Sequence, residues 1–394
     1  MSSVTQQRQH WLDALMAANA AASEASREPL IQQGLPPQRQ EDWRFTDLSA
    51  LLALDPAALQ PRGAAALTHC PAPASGVVRL QLDGTGTALQ LADGSAPLPE
   101  GLQLNHGSAP LGRPEGLPGR LHSLLAGPAL QVDLAAGQRL QLELWLEPSS
   151  EQALLAPQLQ ITLGENAQLD LAVQLRCAGA SLALPWVQAQ VAGGARFSEG
   201  WLLQGDASAV LLAGSQVQQQ PGSTYSRTVV VRGWALARQE PEVLQLAGAA
   251  HTQLRDLSIT TGLAVHDLHS RVRFEGPEGT LDQLQKALVD EAGHSIFNGC
   301  VQVPQIAQRT DAAQLSRHLL LSERAKVDTK PELEIIADDV RCSHGATVSS
   351  LSDEELFYLR SRGIDRDTGA ALLRRGFCAE ILRELPPLLA AEAA

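Results

Sequence analysis

The amino-acid sequence predicts a mainly β protein that carries a helical region at each end. Apolar and polar residues alternate over most of residues 76–348, as in LQLELWL at 140–146, and this period of two is typical of strands. Gly, Asn, Asp and Pro interrupt the alternation at short intervals, which indicates turns. Apolar residues show helical spacing in 1–75 and 349–394, so we expect three regions with these bounds.

So many short strands require an architecture that protects their edges. A sandwich, a barrel, a propeller or a solenoid would each do so. Short strands, small turns and the lack of Asn-Gly hairpin dipeptides at regular intervals favour a β-solenoid, although no strict repeat is visible. The segment LDQLQKALVDEAG (281–293) is ambiguous, because its apolar spacing suits either a short helix or a strand.

The N-terminal region opens with a predicted amphipathic helix. The apolar residues with helical spacing on one face are Trp11, Leu12, Leu15 and Met16. A Gly-Leu-Pro-Pro break at 34–37 follows, and then the polar segment RQEDWRFTDL (39–48) with an embedded tryptophan.

The C-terminal region contains two predicted helices. Ser352 and Glu355 have the spacing of a capping box, and Gly363 is placed to end the first helix. The second is expected from about 370 to 385, before two prolines. These helices could pack on the solenoid or bind a partner, and their candidate partner-binding residues are Leu356, Phe357, Leu373, Phe377 and Ile381.

Charge and motif content exclude several classes of function. Acidic residues outnumber basic ones by 43 to 30, and a net charge of -13 disfavours nucleic-acid backbones and anionic membranes as partners. No apolar run of the length of a membrane helix and no secretory signal is evident. None of the three lysines follows a glycine, so we expect no phosphate-binding Walker loop.

Two short motifs contain candidate metal ligands. HDLH (266–269) lies in a predicted strand, where its two imidazoles would point to opposite faces. In the segment RCSHGA, Cys342 and His344 would share one face of an extended chain. A thiolate and an imidazole suit iron, zinc or an iron–sulfur cluster.

Two ligands are too few for a closed metal site, so a second chain would have to complete it. The alternative is that Cys342 is a buried packing residue and His344 a hydrogen-bonded one. A Cys–His hydrolase is also conceivable, but no orienting acid or oxyanion hole is evident.

The C-terminal blocks at 319–364 and 372–382 resemble the SufB/SufD family of the SUF iron–sulfur cluster assembly system. RQEDWRFTDL (39–48) and HSIFNGCVQVPQIAQRTDAAQ (294–314) are also similar to the family. The form CSHGAT (342–347) resembles the SufD branch. The SufB branch has a His-Glu pair where this chain has His-Gly, and the SufB paralogue is the alternative.

This resemblance implies a right-handed parallel β-helix flanked by helical ends. It implies a cytoplasmic, non-catalytic scaffold subunit of the SufBCD complex, which pairs with SufB through the β-helix and binds the ATPase SufC through the C-terminal helices. His344 would lie at the SufB interface and hold a transient iron–sulfur cluster shared with SufB, with Cys342 beside it. The isolated chain would hold no cofactor tightly and could form a homodimer.

Two further hypotheses compete with the scaffold. A β-helix enzyme acting on polysaccharide would need clustered acidic residues, but Asp and Glu are scattered singly through 76–330. In a purely structural clamp, Cys342 and His344 would be packing residues only.

Overall fold

The computed structural model of the chain describes residues 3–20, 22–61, 73, 75–82, 89–91, 101–105, 116–126 and 129–393. Its helices are α1 (Ser3–Ala18), α2 (Glu24–Gln33), α3 (Ser49–Leu52), α4 (Leu117–Leu125), α5 (Asp353–Ser361), α6 (Arg366–Leu382) and α7 (Pro387–Ala393), with a short 3₁₀ helix at Glu41–Trp43.

The strands make up most of the described chain. In chain order they are β1 (Gln60–Pro61), β2 (Val77–Leu82), β3 (Leu89–Leu91), β4 (Leu102–Asn105), β5 (Ala129–Leu134), β6 (Arg139–Leu146), β7 (Ala153–Leu155), β8 (Gln158–Leu163), β9 (Gln168–Arg176), β10 (Leu182–Ala183), β11 (Trp186–Val191), β12 (Arg196–Gln204), β13 (Val210–Gln219), β14 (Thr224–Arg232), β15 (Leu236–Gln245), β16 (His251–Thr260), β17 (Val265–Phe274), β18 (Thr280–Val289), β19 (His294–Val303), β20 (Asp311–Leu320), β21 (Lys326–Ile335) and β22 (Arg341–Ser350).

The strands form two sheets, which are parallel apart from the antiparallel pairs β2–β3 and β4–β5, and from β11 onward successive strands alternate between them. Sheet 1 runs β4-β5-β8-β11-β13-β15-β17-β19-β21, and sheet 2 runs β3-β2-β6-β9-β12-β14-β16-β18-β20-β22. Val210 lies opposite Leu236, and His294 lies opposite Lys326, so one turn of the regular part takes about 26 to 32 residues. This confirms the predicted mainly β fold as a parallel β-solenoid of about eight turns with helices at both ends.

The solenoid interior explains the alternation in the sequence. The inward leucines of β6 (Leu142, Leu144 and Leu146) are buried in the main core, whereas the intervening side chains point outward. Tight turns separate the strands. Gly233 has a φ of +85°, and a Cβ there would lie 2.3 Å from the Gly205 carbonyl oxygen. Only glycine fits this stacked turn without strain. The ambiguous segment at 281–293 lies mainly in strand β18.

The N-terminal helices pack together against the outer face of sheet 1. The four apolar residues predicted for the first helix face are buried in one cluster. That cluster also contains α4, a helix within the region that was predicted to form strands. Its nine residues would be marginal as an isolated helix, and packing against α2 stabilises them.

The C-terminal helices lie across the outer face of sheet 2. The Ser352 hydroxyl accepts a hydrogen bond from the Glu355 backbone N–H, as the capping pattern predicts. Helix α6 begins at Arg366, capped by Asp365, four residues earlier than expected, and ends at Leu382. The two prolines open a further helix, α7, which was not predicted. No helix in the described part of the chain is long and apolar enough to cross a membrane.

Candidate functional site

The last turn of the solenoid exposes one edge of each sheet. Within the described residues, β22 pairs with β20 alone and β21 pairs with β19 alone. Most side chains of β22 are exposed, and the apolar residues Ile335, Ile336 and Val348 are exposed at the same end. An edge strand with free backbone N–H and C=O groups is a ready template for pairing with another chain.

Cys342 and His344 both lie on this edge strand. The ladder places Cys342 beside Ala312 and His344 beside Gln314, and both of these β20 residues are buried in the solenoid interior. Cys342 and His344 therefore share the inward face of β22, so their predicted same-face arrangement is confirmed. Because no further turn covers them in the described residues, the open end leaves His344 exposed.

The two side chains differ in their surroundings. Cys342 is half-buried and packs against the main core. Burial raises the pKa of its thiol above the ordinary value, and a hydrogen bond with the backbone of Ala312 opposes this effect. Among the described residues, no group of three or more His, Cys, Asp or Glu side chains could hold a metal ion.

Polar side chains lie directly beneath this strand in the solenoid interior. Gln314 donates a hydrogen bond from Nε2 to Oε1 of Gln283, one turn deeper, at 3.0 Å. Ser316 shares a hydrogen bond with Thr329 at 2.9 Å. These residues were not predicted from the sequence, because glutamine and serine at inward strand positions do not stand out without knowledge of the register.

The candidate partner-binding residues on α5 and α6 occupy different depths. Phe357 is 72% exposed, whereas Leu356 and Ile381 are buried within the chain. Leu373 and Phe377 are half-buried. Any partner on this surface would meet Phe357 directly, while Leu356 and Ile381 support the helices from beneath.

The HDLH motif lies in β17, and its two imidazoles point to opposite faces, as predicted for a strand. His266 is buried inside the solenoid, and burial lowers its pKa to about 4. His269 faces outward, where its Nε2 lies 3.0 Å from Oδ1 of Asp267.

Asp267 belongs to a buried cluster that attaches the segment RQEDWRFTDL to sheet 1. Arg238 Nη1 donates to Asp267 Oδ2 at 2.6 Å, and the Thr46 hydroxyl donates to the same oxygen. The Arg238 guanidinium also lies 3.7 Å from the ring centre of Trp43. Burial alone would raise the pKa of Asp267, but His269 and Arg238 lower it and keep the carboxylate ionised. This cluster accounts for the tryptophan-containing motif as a structural anchor.

Comparisons with known proteins give the family. A family model described as "SUF system FeS cluster assembly, SufBD core domain" matches residues 146–377, which is more than half of the chain. A SufBD family protein of Synechocystis is 43% identical over 175 residues, covering 44% of this chain and 39% of that protein. SufD of Escherichia coli is 48% identical, and SufD of Bacillus subtilis 39% identical, each over 103 residues.

Each of these two SufD matches covers 26% of this chain and 24% of the relative. The chain therefore spans less than half the length of each of these three relatives. The family model and the named relatives agree with the resemblance found in the sequence. The chain belongs to the SufB/SufD family of the SUF iron–sulfur cluster assembly system.

Proposed function

We propose that this chain is a non-catalytic scaffold subunit that helps to assemble iron–sulfur clusters in the cytoplasm. It pairs with SufB through the open end of the solenoid and binds the ATPase SufC through its C-terminal helices. A transient cluster, the cargo of the system, is shared with SufB at His344, with Cys342 beside it. We retain the division into 1–75, 76–348 and 349–394 as part of this proposal.

The observation that carries the proposal is the uncovered strand β22 with both candidate ligands on its inward face. A long, exposed edge with apolar residues around it is a liability for an isolated chain, so it fits an interface that a partner covers. Two ligands leave a tetrahedral iron site half-filled. A partner strand on this edge would therefore both protect the sheet and bring the missing ligands.

Split ligation suits a scaffold that must release what it builds. A site divided between two chains opens when the chains move, so a partner ATPase could weaken the cluster's binding without breaking either fold. His344 binds iron only through a ring nitrogen that carries no proton. The exposed Phe357 and Tyr358 on α5 offer SufC a contact surface.

The test is to co-express the tagged chain with SufB and SufC, purify the complex and assemble clusters on it. We expect all three proteins to co-purify. His344→Ala should leave that complex intact but lower cluster formation at least about tenfold, because losing a ligand costs no less than losing a supporting contact.

Ser343→Ala is the matched control, since Ser343 lies on the opposite face of the same strand. Normal cluster assembly by both His344→Ala and Cys342→Ser would support the structural clamp instead. Recovery of the folded chain without either partner, as a monomer or a homodimer, would contradict the scaffold. Polysaccharide cleavage by the purified chain would favour the enzyme hypothesis.

A further inference from the structure

One column of the solenoid interior ends at His344. Strand register places Gln283 of β18 beside Gln314 of β20, and Gln314 beside His344 of β22. Gln283 and Gln314 are almost completely buried, at 1% and 2% exposed. Neighbouring strands lie about 4.8 Å apart, so an in-register side chain on β22 lies within reach of the amide below it.

Both glutamine amides of this column donate a hydrogen bond. Gln283 donates from Nε2 to the Ser270 hydroxyl at 2.7 Å, and Gln314 donates from Nε2 to Oε1 of Gln283 at 3.0 Å. Gln314 thus turns its NH₂ group toward the deeper Gln283, whereas Gln283 donates across the solenoid to β17 of sheet 1. The last oxygen, Oε1 of Gln314, is buried and has no hydrogen-bond partner. A buried acceptor without a donor is unfavourable and rare in folded proteins.

The group that follows in the ladder is a donor of the right kind. A neutral imidazole has one N–H and one nitrogen with a free lone pair, and the partner of the N–H decides which nitrogen is which. Histidines that bind metals almost always donate their other ring N–H to a fixed acceptor. The neighbouring inward positions of β20 cannot do this, because Ala312 has no polar side chain and Ser316 is already bonded to Thr329.

We propose that Gln314 is a positioning residue for His344: its free amide oxygen accepts a ring N–H once the His344 side chain turns onto the ladder. This contact fixes one tautomer and leaves the other ring nitrogen unprotonated and directed away from the ladder, where a metal can bind. The inference rests on the proposed role of His344 as a cluster ligand. Gly299 makes room for the amide, since a Cβ there would lie 2.3 Å from Gln314 Nε2.

The test is nuclear magnetic resonance of the full chain with ¹⁵N-labelled histidine rings at pH 8, with His344→Ala to assign the signals. Gln314→Met keeps the length of the side chain but removes the acceptor. We expect the single tautomer of His344 to become the mixture of an unconstrained imidazole, and its N–H to exchange faster with water. Gln314→Glu supplies an acceptor again and should restore one tautomer.

Gln285→Met is the matched control, because Gln285 is equally buried on β18 but stands one inward position away from the ladder. It should leave the His344 signals unchanged. If Gln314→Met does not fold, Gln314→Asn tests the same contact by withdrawing the oxygen by one methylene. Identical His344 signals in the wild type and in the folded Gln314 variant would overturn the proposal.

Cluster assembly on the complex separates this inference from the proposed function. We expect Gln314→Met to weaken iron binding about 10- to 100-fold and Gln314→Glu to recover most of it. If His344→Ala blocks assembly but the Gln314 variants leave the ring signals unchanged, the positioning role is wrong and the scaffold stands. If the His344 ring signals change in the Gln314 variants but His344→Ala assembles clusters normally, His344 is not a cluster ligand, although Gln314 still positions its ring.

Discussion

At the scale of single residues, Arg238 shows how a buried charge attaches one part of the chain to another. Its guanidinium contacts two carboxylates, with Nε 2.7 Å from Glu240 Oε1 and Nη1 2.6 Å from Asp267 Oδ2, and it covers the Trp43 ring. A buried ion pair adds little net stability, but removing one partner leaves an uncompensated charge. The sequence predicted neither contact, because Trp43 and Asp267 are far from Arg238 along the chain and only the register of the turns brings them together.

Arg238→Met should therefore lower the free energy of unfolding by about 3–5 kcal/mol. It should also release the N-terminal helices, so that proteases cut near residues 39–48 before they cut the solenoid. Urea unfolding and limited proteolysis measure the two effects. Arg271→Met is the control, because Arg271 forms an exposed pair with Glu242 at 3.3 Å, and its loss should cost about 0.5 kcal/mol or less. Equal losses for the two variants would contradict the anchoring role.

At the scale of secondary-structure elements, patterns that depend on near neighbours were the ones that could be predicted. Period-two alternation identified the strands, and a capping side chain fixed the start of α5. Helices α4 and α7 were not predicted, because packing on helices and strands that are distant along the chain, rather than their own sequence, makes them stable. Strand β12 forms part of the surface on which α7 packs. Gly200 of β12 packs against Pro386 in the link between α6 and α7. A Cβ at this position would lie 2.2 Å from Pro386 Cδ.

Gly200→Ala should push the C-terminal helices off sheet 2. A proline ring cannot move aside easily, so we expect a loss of about 1–3 kcal/mol and faster hydrogen exchange in α7. The control is Gly376→Ala in α6, where no atom lies within 4 Å of the added Cβ. That change should stabilise the helix by about 0.5–1 kcal/mol, since glycine costs this much in a helix interior. A Gly200→Ala protein as stable as the wild type would show that the helices do not pack closely on this sheet.

At the scale of the whole molecule, the sequence predicted the class of fold but not the inside of the solenoid. Turn lengths vary between successive coils, so no strict repeat marks which residues stack on which. Only the strand register reveals that Gln314 lies beneath His344. It also shows that Cys342 and His344 each lie at the open end of a column of inward-facing side chains. Buried histidines also lie away from β22, among them His122 on α4 and His266 on β17. His122 donates from Nδ1 to the Leu184 carbonyl at 2.7 Å, and His266 donates from Nε2 to the Trp234 carbonyl at 3.2 Å.

These two histidines should make the stability of the whole fold fall in mild acid. Burial lowers the pKa of each to about 4, against about 6.5 in the unfolded chain. Between these two pH values the imidazoles are protonated in the unfolded state but stay neutral in the folded state. The stabilisation is therefore complete above pH 6.5 and is lost as the pH falls toward 4, by up to about 1.4 kcal/mol per pH unit for each histidine. Urea unfolding at pH 7.5, 6.5, 5.5 and 4.5 measures the slope.

The variant His122→Gln/His266→Gln keeps a donor at each site but cannot titrate there, so its stability should change less steeply with pH over this range. The difference between its slope and that of the wild type reports on these two positions, because the buried His318, whose pKa burial also lowers to about 4, is present in both proteins. A wild-type protein whose stability stays constant from pH 7.5 to 4.5 would mean that the buried histidines take up protons as readily folded as unfolded. In that case water, rather than a dry core, would surround them.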